Sequence, residues 1–303
     1  PTLTDPYSIS ADGSRLVYTR TTGYTNFSVI RQGPGASSAP VRLTAGTARK
    51  SCPTLSPDGG SLAYLAESEG GFDLLVVSTE GGTPPRKLNS GVFMSRLCPA
   101  WSPSGGALAV VLVIEGNLRL AVMPAAGGSP RVYRKTRPAG GLAWSPGTRI
   151  AYPVRGYDNY RLLDPATEEE EPLMDNDLPY TQRLAFSPVG DQVAIRWTWA
   201  DSTGLWVIPL RDGTPSFLGG SASDWLPFGW STDGRKILAR MRLGGDYHWI
   251  PLDGGDPQRI PGPELEEAEC APNHRPEALV WVCSEKRSFS DAWMIENFDP
   301  GRE

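Results

Sequence analysis

The sequence predicts an all-β fold, a seven-bladed β-propeller of four-stranded antiparallel blades. Its first support is a phrase built on Ser-Pro-Asp-Gly, whose serines are Ser10, Ser56, Ser102, Ser145, Ser187 and Ser231, spaced 42 to 46 residues apart. Turn residues at a fixed offset within a period in the forties mark one blade per repeat. The second is composition: 34 Gly, 29 Pro and 10 Trp in 303 residues suit many turns joined by strands with large side chains. The third is a worn seventh repeat. Glu269-Cys270-Ala271-Pro272-Asn273 stands in place of the serine phrase, and Ala278–Val282 and Ala292–Glu296 follow as strands.

The repeat two segment shows how each element arises. Pro53-Thr54-Leu55-Ser56 is an inner strand that runs into a turn at Pro57-Asp58-Gly59-Gly60. There Pro presets φ, Asp bonds the backbone ahead, and Gly takes positive φ. Leu62–Ala66 returns, and its small Ala63 recurs as Ala109, Ala151, Ala194 and Ala239, which predicts close sheet-to-sheet packing. Asp73–Val77 is the third strand, Thr79-Glu80-Gly81-Gly82 turns the chain, and Pro85-Arg86-Lys87-Leu88 is the outer strand. Val41-Arg42-Leu43-Thr44 and Pro257-Gln258-Arg259-Ile260 end other repeats in the same way. Pro and basic residues on an outer strand discourage pairing with other chains. The repeats lie near 5–44, 45–88, 89–133, 134–173, 174–218, 219–260 and 261–303, within one domain spanning 1–303. The last repeat lacks an outer strand, and residues 1–4 are expected to supply it and latch the ring.

These phrases resemble the TolB-like propeller repeat, a bacterial relative of the WD-type repeat, over nearly the whole chain. Gly204–Leu210 and Trp249–Gly255 fit its third-strand phrase well. The resemblance is specific for the propeller fold and carries little about function. Two departures are visible: the TolB propeller has six blades, and no separate N-terminal domain of the TolB kind is present, so a role in the Tol–Pal system is not carried over. Asp291–Pro300 resembles the close of propeller sensor domains that follow a membrane helix behind a Ser/Thr kinase or a DNA-binding domain. Prolyl-oligopeptidase-like enzymes also carry seven-bladed propellers, as gates in front of a hydrolase domain.

The residues that chemistry would need are sparse. There is no Gly-x-Ser-x-Gly elbow, and Gly219-Gly220-Ser221-Ala222-Ser223 lacks the closing glycine. His248, in a strand phrase, and His274, in the worn seventh hairpin, occupy different repeat positions. No Cys-x-x-Cys or His-x-x-x-His spacing occurs, and Asp175-Asn176-Asp177 lacks the glycine and distal glutamate of a calcium loop. The expectation is no enzyme, no metal and no cofactor. Glu168–Glu171 reads as a solvated hairpin tip. Trp197 and Trp199 share one side of a strand, Trp197 packing between blades and Trp199 nearer the loop. Cys52 and Cys98, each four residues before a motif serine, read as small buried residues; Cys270 and Cys283 could meet across one hairpin.

The connections from each outer strand to the next inner strand cross one face of a propeller, and here they differ in charge. Those entering repeats two to four carry Arg49, Lys50, Arg96, Arg134, Lys135 and Arg137 and no acid. Those entering repeats five, six, seven and one carry Asp175, Asp177, Asp224, Glu264, Glu266, Glu267, Glu269 and Asp5, with Arg183 the sole base. Tyr180, Trp225 and Phe93 lie in the same segments, as candidate interface anchors. The candidate binding residues are therefore Arg49, Lys50, Arg96, Arg137, Arg183, Tyr180, Trp225, Glu264 and Glu266. The partner expected on this face is another protein or a charged small ligand.

A net charge of −5 argues against nucleic acid and anionic membrane as partners. No apolar run reaches the roughly eighteen residues of a membrane helix. No signal peptide is visible and the chain starts at Pro1, which reads as a processed protein or an excised domain. Three roles stay open for a monomeric domain. They are an extracytoplasmic sensing or binding module of a signalling protein, a recognition gate for a hydrolase domain, and a free periplasmic scaffold. A cytoplasmic location is not excluded by the sequence.

Overall fold

A computed structural model describes residues 7–9, 15–33, 36–69, 71–88, 94–154, 160–173, 183–199, 201–211, 213–218, 225–242, 245–263, 268–272 and 279–296. Among these, six β-sheets form, so the seven-bladed expectation is corrected to six blades. Repeats two to six each make one four-stranded meander. Four short or long strands precede them: β1 (Tyr7–Ile9), β2 (Arg15–Gly33), β3 (Ala36–Ser37) and β4 (Val41–Arg42). Blade I holds β5 (Lys50–Leu55), β6 (Ser61–Ser68), β7 (Gly71–Ser78) and β8 (Arg86–Lys87). Blade II holds β9 (Ala100–Trp101), β10 (Ala107–Ile114), β11 (Asn117–Pro124) and β12 (Arg131–Tyr133). Blade III holds β13 (Ala143–Trp144), β14 (Ile150–Pro153), β15 (Tyr160–Leu163) and β16 (Glu170–Pro172). Blade IV holds β17 (Leu184–Phe186), β18 (Gln192–Trp199), β19 (Ser202–Pro209) and β20 (Ser216–Phe217). Blade V holds β21 (Trp225–Trp230), β22 (Lys236–Met241), β23 (Tyr247–Pro251) and β24 (Gln258–Ile260).

Blade VI is assembled from both ends of the chain. β25 (Ala268–Pro272) and β26 (Leu279–Glu296) supply its first two strands, β2 its third and β4 its outer strand. β2 pairs with β26 without a break from Arg15↔Glu296 to Gln32↔Leu279. Separate blades for repeats one and seven would need turns near residues 20–24 and 286–290. Thr21-Thr22-Gly23-Tyr24 and Arg287-Ser288-Phe289 offer none of the Pro-Asp-Gly chemistry, and β-branched threonines favour continued strand. Gly23 has a positive role where the two long strands meet. A Cβ there would stand 2.9 Å from the Arg287 carbonyl oxygen, closer than any side chain tolerates. The expected latch by residues 1–4 is overturned as well. The outer strand of the closing blade is β4, paired through Ser28↔Arg42 and Val29↔Val41, and residues 1–4 lie outside the described residues.

Side-chain packing fills each gap between blades with its own apolar cluster. Leu65, Met94, Leu112 and Met123 join blades I and II, and Leu120, Tyr133, Tyr152 and Leu163 join II and III. Tyr160, Ile195 and Trp206 join III and IV, and Leu205, Trp230 and Ile250 join IV and V. Tyr247 and Trp281 join V and VI, and Phe27, Tyr64 and Val282 close VI onto I. The predicted alanine row, Ala63, Ala109, Ala151, Ala194 and Ala239, is fully buried. Burying each large apolar side chain contributes about 1.5–3 kcal/mol. Among the described residues no helix is long and apolar enough to cross a membrane.

The recurring serine has a structural task beyond the turn. Ser56, Ser102, Ser145, Ser187 and Ser231 are buried. Each hydroxyl accepts the backbone N–H that starts the return strand, from Ser61, Ala107, Arg149, Gln192 and Lys236, at 2.9–3.2 Å. Three donate onward to a carboxylate: Ser56 to Asp58, Ser187 to Asp191 and Ser231 to Asp233, at 2.5, 2.7 and 2.6 Å. The Asp233 carboxyl is held below its ordinary pKa first by that hydroxyl and then by the Arg235 N–H. Where a tryptophan precedes the serine it ties its blade to the one before. Trp101 Nε1 donates to the Thr54 carbonyl at 3.0 Å, Trp144 to Ala100 at 2.9 Å and Trp230 to Ala185 at 3.0 Å. Gly190, at φ 77°, closes its turn against Pro146 of the preceding blade; a Cβ would lie 3.3 Å from the proline ring. On the outer strands, Arg86 donates to the Ala125 carbonyl and Arg131 to the Ala166 carbonyl, each reaching into the next blade.

Two disulfides add covalent ties. Cys270–Cys283 joins directly opposed residues of β25 and β26. Cys52–Cys98 joins blade I to blade II, with Cα atoms 5.1 Å apart. The expectation of two separate buried cysteines is thereby corrected. Equivalent positions at or just before the first strands of neighbouring blades sit side by side, so a shared offset from the serine brings the two sulfurs together. Cys52 has φ 56° at a bulge between Ser51 and Thr54, which turns its side chain out of the ladder.

Lys50 bolts the first blade to the closing one. Its buried Nζ donates to the Thr25 carbonyl, Asn26 Oδ1 and the Ala48 carbonyl at 3.1, 3.0 and 3.3 Å. Burial first, and the Arg42 charge second, lower its pKa from 10.5.

Three outcomes are expected. Ser187→Ala strands the Gln192 N–H and should lower unfolding free energy by about 1–3 kcal/mol in denaturant titration, whereas Thr203→Ala on the surface should change it far less. Removing Cys52–Cys98 by a double serine substitution reopens a 46-residue loop, and the midpoint should fall by about 2–4 kcal/mol equivalent. Lys50→Met leaves three acceptors unmet and should cost about 1–3 kcal/mol. Between the lowered folded pKa of Lys50 and 10.5 the unfolded chain binds the extra proton, so wild-type stability gains a contribution as pH rises through that window. A pH series comparing wild type with Lys50→Met should isolate that gain.

Candidate partner-binding face

The connections between blades present exposed cations over blades I to III. Arg49, Arg96, Arg134, Lys135 and Arg137 all keep their side chains in solvent. Arg96 lies over the Phe72 ring, 5.6 Å from its centroid. Lys50 is not offered on this face, because its ammonium is enclosed by the three acceptors of the ring closure.

Arg183 sits at the start of blade IV with its guanidinium 4.1 Å from the Phe228 centroid. Part of its side chain meets water, yet the guanidinium is surrounded by protein, and that desolvation lowers its pKa. Arg240 flanks the same ring at 5.8 Å and Tyr247 at 5.3 Å. The stack reaches the surface, with Arg183 exposed over the partly buried Phe228.

Trp225, expected as an exposed anchor, is 5% exposed and packs edge-on against His248, with centroids 5.0 Å apart. It is part of the blade IV–V core. His248 is thus a packed histidine whose Nδ1 lies 3.2 Å from the Asp246 carbonyl oxygen. Trp197 is buried edge-on against Trp206, as the sequence suggested. Tyr180, Glu264, Glu266, Asp5, Phe93, Asp175, Asp177, Asp224, Glu267 and His274 lie outside the described residues. Glu269 lies in β25, opposite Ser284 of β26. Among the described residues no three His, Cys, Asp or Glu side chains gather as metal ligands would.

One cavity opens beside this basic sector, at the end of the gap between blades II and III. Its volume is about 290 Å³, and among the described residues it is lined by Lys135, Arg137, Tyr152, Val154, Arg161 and Glu170. The II–III connection brings Lys135 and Arg137. Sheet register brings the rest: Tyr152 is paired directly with Arg161, and Glu170 pairs with Leu163, two residues along from Arg161. Alternation therefore places all three on one face of blade III. Tyr152 is fully buried, and no hydrogen bond of good geometry reaches its hydroxyl, although the Glu170 carboxylate stands beside it. Burial, then the Glu170 charge, raises its pKa above the ordinary tyrosine value, so it remains a donor at neutral pH. The glutamate run, expected as a solvated hairpin tip, is exposed throughout, and within it Glu168 pairs with Arg131, Glu171 pairs with Arg149, and Glu170 faces the cavity. No local phrase marks Tyr152, Arg161 and Glu170, since only strand pairing brings them together.

No family model and no curated protein matches the sequence. Solved structures do match in shape. A putative TolB from Agrobacterium tumefaciens superposes with a TM-score of 0.61 at 17% identity, over 88% of this chain and 99% of that one. TolB from Acinetobacter baumannii gives 0.57 at 14% identity, over 94% and 81%. A nidogen/laminin complex gives 0.53 at 13%, over 77% and 91%. At these identities the likeness is one of fold, and the chain is a six-bladed β-propeller similar to the TolB propellers.

Proposed function

We propose that this chain is a non-catalytic binding propeller whose connecting face docks an acidic surface of a partner protein. The observation that carries the reading is the sector of Arg49, Arg96, Arg134, Lys135 and Arg137, exposed together over consecutive blades, with no acid in the same connections. A single-sign patch of this kind raises the rate of encounter with an oppositely charged partner and sets its orientation. Asp224, Glu264 and Glu266 give the remaining connections the opposite sign, and Tyr180 is the candidate anchor there. The solved nidogen/laminin complex supports protein binding as a use of such a propeller. Two disulfides favour an oxidising, extracytoplasmic setting. The likeness of Asp291–Pro300 to propeller sensor domains supports a place in a signalling protein.

Cross-linking and capture from the periplasmic or secreted fraction of the source cell tests the docking face. Arg49→Glu with Arg96→Glu should weaken the captured partner by tenfold or more and flatten the salt dependence of binding. Folding should shift by less than about 1 kcal/mol, since these side chains are exposed. Unchanged partners and unchanged affinity in the double variant overturn the reading.

A further inference from the structure

We propose that the cavity between blades II and III is a receptor for a carboxylate group, presented by an acidic residue of the docked partner or carried by a small free acid. In its partner form the proposal rests on the docking face; as a small-acid site it stands without it.

The donors converge on one space. Arg137 and Arg161 are guanidiniums suited to two-pronged contact with a planar carboxylate, and Lys135 adds a third cation. Among the described residues none of the three has an ion-pair partner, although Glu170 lines the same cavity and acids crowd the neighbouring hairpin. Three cations against one carboxylate leave the cavity with a net positive charge of two. The Tyr152 hydroxyl is the second sign: it is buried without a well-formed hydrogen bond, with the Glu170 carboxylate beside it. A buried hydroxyl left without a good bond costs stability, and a phenylalanine would fill the same volume without that cost. Retaining the hydroxyl makes physical sense if an acceptor arrives from outside. Lys135, Arg137 and Glu170 are exposed at the mouth, and their side-chain ends can shift to admit it.

Size and charge select the ligand. The volume sits at the lower edge of the about 300–1,000 Å³ usual for ligand pockets, enough for one acidic side chain or a short dicarboxylic acid. Glu170 disfavours a dianionic phosphate more than a singly charged carboxylate, because like-charge repulsion grows with the ligand's charge.

Calorimetric titration of the whole chain tests this with three probes: succinate, a short peptide ending in Asp-Glu, and inorganic phosphate. Each is added up to about 10 mM, above the roughly millimolar Kd that a few charge-assisted bonds support. Saturable binding is expected for the peptide or succinate. If the peptide binds and succinate does not, the source is a docked partner; comparable binding of succinate assigns a free acid. Arg161→Gln should weaken binding tenfold or more and Tyr152→Phe several-fold, while Glu170→Gln should tighten it several-fold. Arg211→Gln, on a remote exposed turn, should change it less than twofold. Tyr152→Phe should also leave the ligand-free protein as stable as wild type or more so, which separates lost recognition from lost folding. No saturable binding of either carboxylate, phosphate binding tighter than both, or equal responses of Arg161→Gln and Arg211→Gln overturns the proposal. Loss of partner capture in Arg49→Glu/Arg96→Glu bears on the docking face, and succinate binding by that same variant still reports on the cavity.

Discussion

A serine hydroxyl withdrawn from water at the tip of the inner hairpin in blades I to V is the interaction on which the ring depends. It accepts a hydrogen bond from the N–H at the start of the return strand and, in three blades, donates its own to an aspartate of the turn. That arrangement satisfies groups that closure of the hairpin would otherwise bury unpaired. It also fixes the register of the first two strands, and register decides which side chains enter the gap to the next blade. The tryptophan before the serine, in three blades, carries the same geometry across that gap by donating to a carbonyl of the preceding inner strand. Turn, strand pairing and blade packing are thus coupled through a few adjacent residues.

Closure of the ring obeys the same need to leave no edge open. The two ends of the chain provide two strands each to blade VI, so that unravelling it separates segments nearly the full sequence apart. Lys50 then crosses to Thr25 and Asn26, and the Cys270–Cys283 bond locks the first pair of strands. A buried ammonium is costly unless its donors are matched, and here three acceptors match it. A residue that looks like a surface charge in the sequence is in fact part of the seam.

The connecting face uses the cations that this scaffold does not need. Arg86 and Arg131 are engaged with the neighbouring blade, and Arg183 is packed on an aromatic ring. Arg49, Arg96, Lys135 and Arg137 remain directed to solvent. Around the cavity below them, strands hold Tyr152 and Arg161, while a connection carries Lys135 and Arg137. In the proposed site, paired strands would form the floor and a connection the rim.

The sequence alone determined the blade. Serine spacing, Pro-Asp-Gly turns and the alanine row are local signals, and each reports an interaction made within one repeat or with its neighbour. It also determined the charge contrast between connections, which is a matter of their composition. Only the tertiary structure decided the number of blades. That number depends on whether Gly23 and Ser288 turn or pair, a competition between segments about 260 residues apart that no local pattern encodes. It decided too that Cys52 meets Cys98, that Trp225 and Lys50 lie inside, and that Tyr152, Arg161 and Glu170 face one cavity. Each of these is a contact between strands or blades, and its energy exists only once the sheets have registered and the ring has closed.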